Sequence, residues 1–433
     1  MLKPMVTLLG LIVVTVALAQ SGAPAALPAP ITPPGGYTPV TPTLSALPGA
    51  KLYQGVRKGY AYVMEVPVNW NGGLVMYAHG FAGLGAALHA DPIPIRTPLL
   101  AAGFAWAASS YSANGWAVRE GSDDTLDLAG YFAQAVKPPK ATYLIGASMG
   151  GNVVSDSIET YPNAYKAAMP VCGALTGIGL FDYYLAYGQA AQALTGLTWN
   201  ANILGDPQNV RAVLQQAQPL LGSPGHYTKL GRQFDSLIAN LSGGPRPFRL
   251  EGLNLQFGGG VNYYQAALVY SPLGIINLAP GAAISSNSNT VYRSDPALGL
   301  DDVAFNKLVR RLPANAALRA LGRSADLSAP TGKISIPVLS LHTTGDPYVP
   351  IFTEQDYRRL VEAAGKGNLL VQRAIRRPGH CEFTGEELLQ GFYDLVAWAN
   401  GGPKPAGDDL LGPLGKVGLT WTKPLRADDP GGL

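Results

Sequence analysis

Hydrophobic positions along this chain follow two rhythms. Between Leu52 and Pro67 they alternate with polar ones, as in Tyr60-Ala61-Tyr62-Val63-Met64-Glu65-Val66, and Gly55 and Gly59 break the run. That period of two predicts a pair of antiparallel strands. From Leu74 onward the rhythm changes. Leu74-Val75-Met76-Tyr77-Ala78, Phe104-Ala105-Trp106-Ala107-Ala108 and Thr142-Tyr143-Leu144-Ile145 are short, nearly continuous apolar runs, the pattern of parallel strands covered on both faces. Between the last two, Leu126, Leu128, Ala129, Phe132 and Val136 recur at helical spacing across residues 124–136. The pattern then predicts a helix from Met149 to about Tyr161, ended by Pro162, and a strand over 167–171. After a long interruption it predicts a strand over 334–341, a helix near 354–364, a strand over 369–375 and a last helix over 385–398. Strands alternating with helices imply βαβ units and a mostly parallel sheet covered by helices, an α/β fold.

The interruption divides the chain. Residues 51–174 and 333–400 carry the alternation, and 175–332 are mainly helical in pattern with Gly and Pro breaks. We read that stretch as a lid or cap inserted into the sheet order. Residues 401–433, opening on Gly401-Gly402-Pro403, read as a loop-rich tail. A chain of 433 residues has room for such a core plus insertion. Only 14% of its residues are charged, against about a quarter in ordinary soluble proteins. The net charge of +3 comes from dispersed Lys and Arg, so no basic run offers a nucleic-acid footprint.

The first residues add a destination. Lys3, an apolar stretch from Met5 to Val16, and Ala17-Leu18-Ala19 before Gln20 have the three parts of a secretory signal peptide over residues 1–19. The stretch is shorter than the roughly 20 residues of a membrane span, so no stable membrane insertion is expected after cleavage near Ala19. Residues 20–50, rich in Pro and Ala, predict an extended leader, with the fold starting near Lys51. Export to the envelope or medium would place Cys172 and Cys381 where a disulfide persists.

The chemistry sits where predicted strands end. Gly146-Ala147-Ser148-Met149-Gly150-Gly151 lies between an apolar strand and a helix. A sharp turn there lifts a serine Oγ above the sheet, and its glycines are small because a side chain would strike neighbouring backbone. Ser148 is the candidate nucleophile; it needs a base, and the base needs an orienting acid. Of His79, His89, His226, His342 and His380, only His380 follows the last predicted strand. His342 is its competitor, better placed to support the neighbouring acid. Asp346, held between Gly345 and Pro347 after the strand ending at Leu341, is the candidate acid; Asp301, Asp302 and Asp326 compete if the insertion supplies it. Ala78-His79-Gly80-Phe81 closes another strand. The backbone N–H groups of Met149 and Phe81 are the candidate oxyanion donors. Tyr111, Tyr183, Tyr184 and Tyr187 are candidate pocket residues, with packing aromatics as the alternative reading. No metal-ligand spacing is present around the two cysteines, and no cofactor is needed.

Together the elbow, the acid turn, the late His and the His-Gly loop resemble the α/β-hydrolase superfamily over residues 51–174 and 333–400. The resemblance implies that fold, with the large helical lid inserted before the strand that leads to the acid. It also implies a serine hydrolase acting on a small-molecule or polymeric ester. His380-Cys381 further resembles half of the tannase and feruloyl esterase signature, in which cysteines flank both Ser and His and are bonded; here Ala147 precedes the serine. Cys172, just past the strand after the elbow helix, offers Cys381 a different partner. Acyl transfer or peptide cleavage on the same elbow, and an inactive envelope binding protein, are the other readings.

Overall fold

An apolar run with no polar alternate has two faces to cover. The computed structural model, which describes residues 35–198, 207–223, 225–257 and 284–425, covers both. Its strands are β1 (Thr38–Pro39), β2 (Ala50–Arg57), β3 (Tyr60–Pro67), β4 (Gly73–Ala78), β5 (Ala87–Leu88), β6 (Ala105–Ser109), β7 (Ala141–Ala147), β8 (Ala167–Val171), β9 (Val338–Thr343) and β10 (Leu370–Ile375). Eight of them form one sheet in the order β10-β9-β8-β7-β4-β6-β3-β2. β3 runs antiparallel to both β2 and β6, and the other pairs are parallel. This is an α/β fold with a mostly parallel sheet.

The alternation inside each apolar strand sorts side chains between two cores. Leu74, Met76 and Leu144 pack with Leu128, Phe132, Val153, Val154 and Ile158 from the helices Val118–Ala135 and Met149–Thr160. Val75, Tyr77, Tyr143 and Ile145 face the other way, onto Leu99 and Leu100 of the helix Arg96–Ala101 and Leu388, Phe392 and Leu395 of the helix Gly385–Ala399. Each such aliphatic or aromatic side chain contributes about 1.5–3 kcal/mol when fully buried, so cover on both faces is the main stabilising term. The last helix starts on a capping box, Thr384 with Glu387, which satisfies two orphan backbone donors reciprocally.

Both ends of the described chain are tied to this body. Thr38 N donates to Ala86 O at 2.8 Å and Val40 N to Leu88 O at 2.9 Å, while Leu47 N reaches Glu65 Oε1 at 2.7 Å. The ordered fold therefore begins ahead of Lys51, within the segment expected as leader, because β1 pairs with β5 and the following residues cap β2 and β3. The expected signal peptide lies outside the described residues. At the other end Asp408 N donates to Gln372 O at 2.7 Å and Asp408 Oδ2 accepts from Ala374 N at 2.8 Å. Leu410, Leu414 and Val417 pack on Ile351 and Ala374. The segment after residue 400 covers the free edge of β10, which an exposed parallel strand requires.

The insertion contains the helices Gly179–Thr195, Pro207–Leu221, Lys229–Leu241, Arg249–Phe257, Asp302–Leu308 and Ala316–Ala320. Its buried Leu180, Phe181, Tyr187, Phe234 and Leu237 belong to the same apolar cluster as Leu74 and Met76, so insertion and sheet share a core. At Gly252 a Cβ would overlap the carbonyls of Gly345 and Pro378, which is how one insertion helix lies directly against two loops of the sheet's C-terminal edge. Among the described residues no helix is long and apolar enough to cross a membrane.

Candidate active site

β7 ends at Ala147 and the next helix starts at Met149, leaving Ser148 alone to turn the chain. It does so at φ 58° and ψ −121°, a conformation costly for a residue with a side chain and kept only where the surroundings impose it. They do: Ser148 N donates to Val171 O at 3.0 Å, and Ser148 O accepts from Gly151 N at 2.9 Å and Ala174 N at 3.0 Å. The turn is tight enough to forbid side chains on its flanks. A Cβ at Gly146 would overlap Gly150 O, one at Gly150 would overlap Ala78 O, and one at Gly151 would overlap Gly173.

Asp346 and His380 arrive from the loops after β9 and β10. His380 Nε2 is 2.8 Å from Ser148 Oγ, and His380 Nδ1 is 2.6 Å from Asp346 Oδ2. The three residues thus form one hydrogen-bonded chain. Asp346 is fully buried and His380 is 14% exposed, so the acid is shielded while the imidazole stays open to the cavity. Asp346 Oδ1 accepts from the backbone N–H of Tyr348 at 2.9 Å and of Val349 at 2.8 Å, an arrangement that fixes the carboxylate plane. The competitor His342 lies fully buried behind the acid, its Nε2 2.6 Å from Val349 O. Asp301 caps its own helix through Val303 N and Ala304 N, Asp302 accepts from Ser294, and Asp326 accepts from Arg119 N.

The His380 loop is held from several sides. Cys172 and Cys381 are bonded across a sequence separation of 209, with Cα atoms 5.2 Å apart. Thr343 Oγ1 donates to Gly379 O at 2.7 Å, and Glu382 Oε2 accepts from Gly379 N at 2.8 Å. Cys172, Cys381 and His380 also form the one convergent cluster of metal-ligating residue types among the described residues. With the two sulfurs bonded to each other neither is the thiolate that metal ligation requires.

A cavity of about 770 Å³ opens over Ser148 and His380. Tyr77, Phe81, Trp116, Phe181, Tyr184 and Tyr348 line it, and among the described residues Asp91 is the only carboxylate that does. Burial, and secondarily Asp91, raise the Tyr77 phenol far above its ordinary value, so it is a neutral hydroxyl. Of the four predicted pocket tyrosines only Tyr184 lines the cavity. Tyr111 is buried beneath the His-Gly loop, its ring stacked on His79 with centroids 3.9 Å apart and its hydroxyl donating to His79 O at 2.9 Å. Tyr183 packs on Phe352 and Tyr187 edge-on to Phe234. Those three face the core because their helix or loop has an apolar neighbour on that side, which aromatic composition alone does not reveal. Tyr77, Asp91, Trp116 and Tyr348 line the cavity without having been singled out from the sequence; only Tyr348 carried a signal, its place beside the acid turn.

Met149 begins the elbow helix and Phe81 lies on the cavity wall. At Gly80 a Cβ would sit 3.1 Å from Ser148 Cβ, so the His-Gly loop passes directly beside Ser148. Desolvation lowers the pKa of the buried His79 below the ordinary histidine value, against hydrogen bonds to Gly80 and Ser110 that raise it. His79 is therefore a neutral brace of that loop.

No family model and no curated protein matches the chain. Among solved structures it is similar to feruloyl esterase B from Aspergillus oryzae, at 12% identity and a TM-score of 0.44 over 82% of this chain and 80% of that one. It is similar to lipase A from Candida antarctica in its closed state, at 15% identity and a TM-score of 0.40 over 86% and 81%. An esterase from Aspergillus oryzae matches at 14% identity and a TM-score of 0.40 over 82% and 80%.

Proposed function

We propose that this chain, an α/β-hydrolase by fold, is an exported serine esterase that cleaves carboxylic esters through an acyl-enzyme on Ser148. The observation that carries the reading is the continuous chain Asp346 Oδ2, His380 Nδ1 and Nε2, Ser148 Oγ, with contacts of 2.6 and 2.8 Å, open to a cavity. Ser148 Oγ attacks the ester carbonyl carbon while His380 Nε2 takes its proton. Asp346 accepts from Nδ1–H, which selects the tautomer with a bare Nε2 and stabilises the imidazolium that forms. The oxyanion of the tetrahedral intermediate takes hydrogen bonds from the N–H groups of Met149 and Phe81, helped by the positive end of the elbow helix. Collapse breaks the bond to the alcohol, which leaves with the proton from His380. Water, deprotonated by the same imidazole, then attacks the acyl-enzyme and releases the acid.

The walls favour an apolar or aromatic group on the ester. Six of the lining side chains are aromatic, and such surfaces gain about 25 cal/mol per Å² of apolar area they cover. The insertion, as a lid, contributes Leu180, Phe181 and Tyr184 to that wall. Export is part of the proposal and is supported by the disulfide, a bond that persists in oxidising compartments.

A panel of p-nitrophenyl esters of increasing acyl length, aromatic esters and a polyester film tests the reading. We expect turnover of at least one ester class by the wild-type protein and none above background by Ser148→Ala. Equal rates for the two proteins would refute the assignment.

A further inference from the structure

β9 departs from the apolar pattern in a way the proposed triad does not use. Leu339 and Leu341 point into one core, but Ser340 and His342, both fully buried, take the other face of the strand. Glu354, also fully buried, meets them from the helix Phe352–Ala363. Gln372, beside Ser340 in β10, completes the group. Glu354 Oε2 accepts from Ser340 Oγ at 2.7 Å and from Gln372 Nε2 at 2.5 Å. A layer of this kind is costly to bury unless its members are paired. One that lies directly behind a catalytic acid has something to act on.

We propose that His342 and Glu354 share a proton as a buried imidazolium–carboxylate pair, and that this pair positions Asp346 and steadies its negative charge during the reaction proposed above. The geometry leaves little choice of protonation. His342 Nε2 lies 2.6 Å from the carbonyl oxygen of Val349; a carbonyl only accepts, so Nε2 carries a proton. His342 Nδ1 faces Glu354 Oε1 at 3.3 Å, and neither atom has another hydrogen-bonding partner. Two bare lone pairs facing each other in a dry interior would repel, so a proton lies between them. Nε2 is also 3.8 Å from Asp346 Oδ2, the oxygen that accepts from His380. Burial by itself lowers the pKa of His342, but Glu354, Asp346 and Val349 O together hold it above the ordinary histidine value, the direction the charged ring requires.

The charged groups around His342 are Glu354 on the packed helix and Asp346 on its own loop, and Tyr357 lies one turn further along that helix, near Glu354. The Nε2 side of the cationic ring faces Asp346 Oδ2 at 3.8 Å while the Nδ1 side faces Glu354 at 3.3 Å, so the ring stands between the two carboxylates and attracts the acid. Two consequences follow for His380. The Val349 contact and the ring together fix the loop whose N–H groups hold Asp346 Oδ1. Attraction from the cationic ring also offsets part of the pull that Asp346 exerts through its hydrogen bond to His380 Nδ1, the effect a pH profile reads. His342 and Glu354 touch no substrate and act through Asp346 alone; they are positioning residues.

Because this rests on the proposed triad, the test separates the two. Fluorophosphonate labelling rates at Ser148 and ester kcat and KM are measured against pH for wild type, Glu354→Gln and Ser148→Ala. Gln keeps the volume and can donate a neutral hydrogen bond to Nδ1, so a purely structural role would be preserved. We expect Glu354→Gln to lower kcat about tenfold with KM within about twofold, and to move the acidic limb of kcat/KM up by about half a pH unit or more. Wild-type profile and rates in this variant overturn the inference while leaving the triad standing. Failure of wild type to label at Ser148 overturns the triad itself. Nitrogen-15 spectra of histidine-labelled wild type give a check that needs no variant to fold: His342 shows both ring nitrogens protonated at pH 7.5, and a bare nitrogen there overturns the proposal.

Discussion

Ser148 and Tyr184 line the same cavity, one from the edge of the sheet and the other from the insertion, and they are held there by different means. Ser148 is fixed by backbone: a left-handed φ of 58°, three main-chain hydrogen bonds, and glycines at 146, 150 and 151 that admit no side chain. Tyr184 is fixed by side chains, edge-on to Phe181, tilted against Tyr183, and with its hydroxyl on Tyr348 O. The sheet edge thus supplies chemistry through geometry that hardly tolerates substitution. The insertion supplies a wall through packing, which tolerates exchange of one apolar shape for another. Substrate range should be alterable from the insertion side while the reaction stays as it is.

Mutations on the two sides should split accordingly, and the largest effect belongs to Ser148, the proposed nucleophile. Ser148→Ala is expected to lower ester turnover by about 10⁴- to 10⁶-fold while thermal unfolding shifts by no more than a degree or two. A large fall in melting temperature would show that the hydroxyl is structural. Next comes the frame that holds the base. Reduction of Cys172–Cys381 releases a loop closed over 209 positions, which costs about 5 kcal/mol at most in the chain-entropy account. A displacement of His380 by about 1 Å should cost up to 10²-fold in rate. Activity lost with reductant before the global unfolding transition is the expected order; loss only on unfolding would confine the bond to stability.

Substitution across the cavity should do less. Phe181→Ala is expected to change kcat/KM about tenfold for long or aromatic esters and about twofold for acetate esters, as befits a lost apolar contact. A uniform fall for every ester would mean that the insertion supports the triad rather than selecting substrate. The smallest effect concerns Asp91, exposed and, among the described residues, the only carboxylate of the lining. Asp91→Asn should raise kcat/KM for esters that carry a carboxylate by about two- to fivefold at low salt, with neutral esters unchanged, and the gain should fade at high ionic strength.

The same division explains what could be read from the sequence. The elbow was legible because strand, glycines and helix are adjacent in the chain, and each constraint is local. The apolar runs around Leu74, Trp106 and Leu144 were legible because burial on both faces leaves no polar alternate. The strand expected from Ile334 starts instead at Val338, since Pro337 offers no N–H to the ladder and disfavours regular backbone before it. The helix expected from Asp124 begins at Val118, after an N-cap with no side-chain bond to announce it. Tyr111 and Tyr183, for which the sequence left both cavity lining and packing open, face the core. Their partners His79 and Phe352 are 32 and 169 positions away, so no local pattern distinguishes a lining aromatic from a packing one. The pairing of His342 with Glu354 was hidden for a similar reason: the strand shows a buried His, and only the packed helix shows what it faces.

The central claim is that Ser148 is a nucleophile activated by His380, and reaction with a fluorophosphonate, read by peptide mass spectrometry, tests it most directly. The account predicts one adduct on the peptide carrying Ser148, formed at a rate that parallels loss of esterase activity, slowed by orders of magnitude in His380→Ala and absent after unfolding. An active preparation that remains unlabelled at Ser148, or that loses activity through an adduct on another residue, would contradict it.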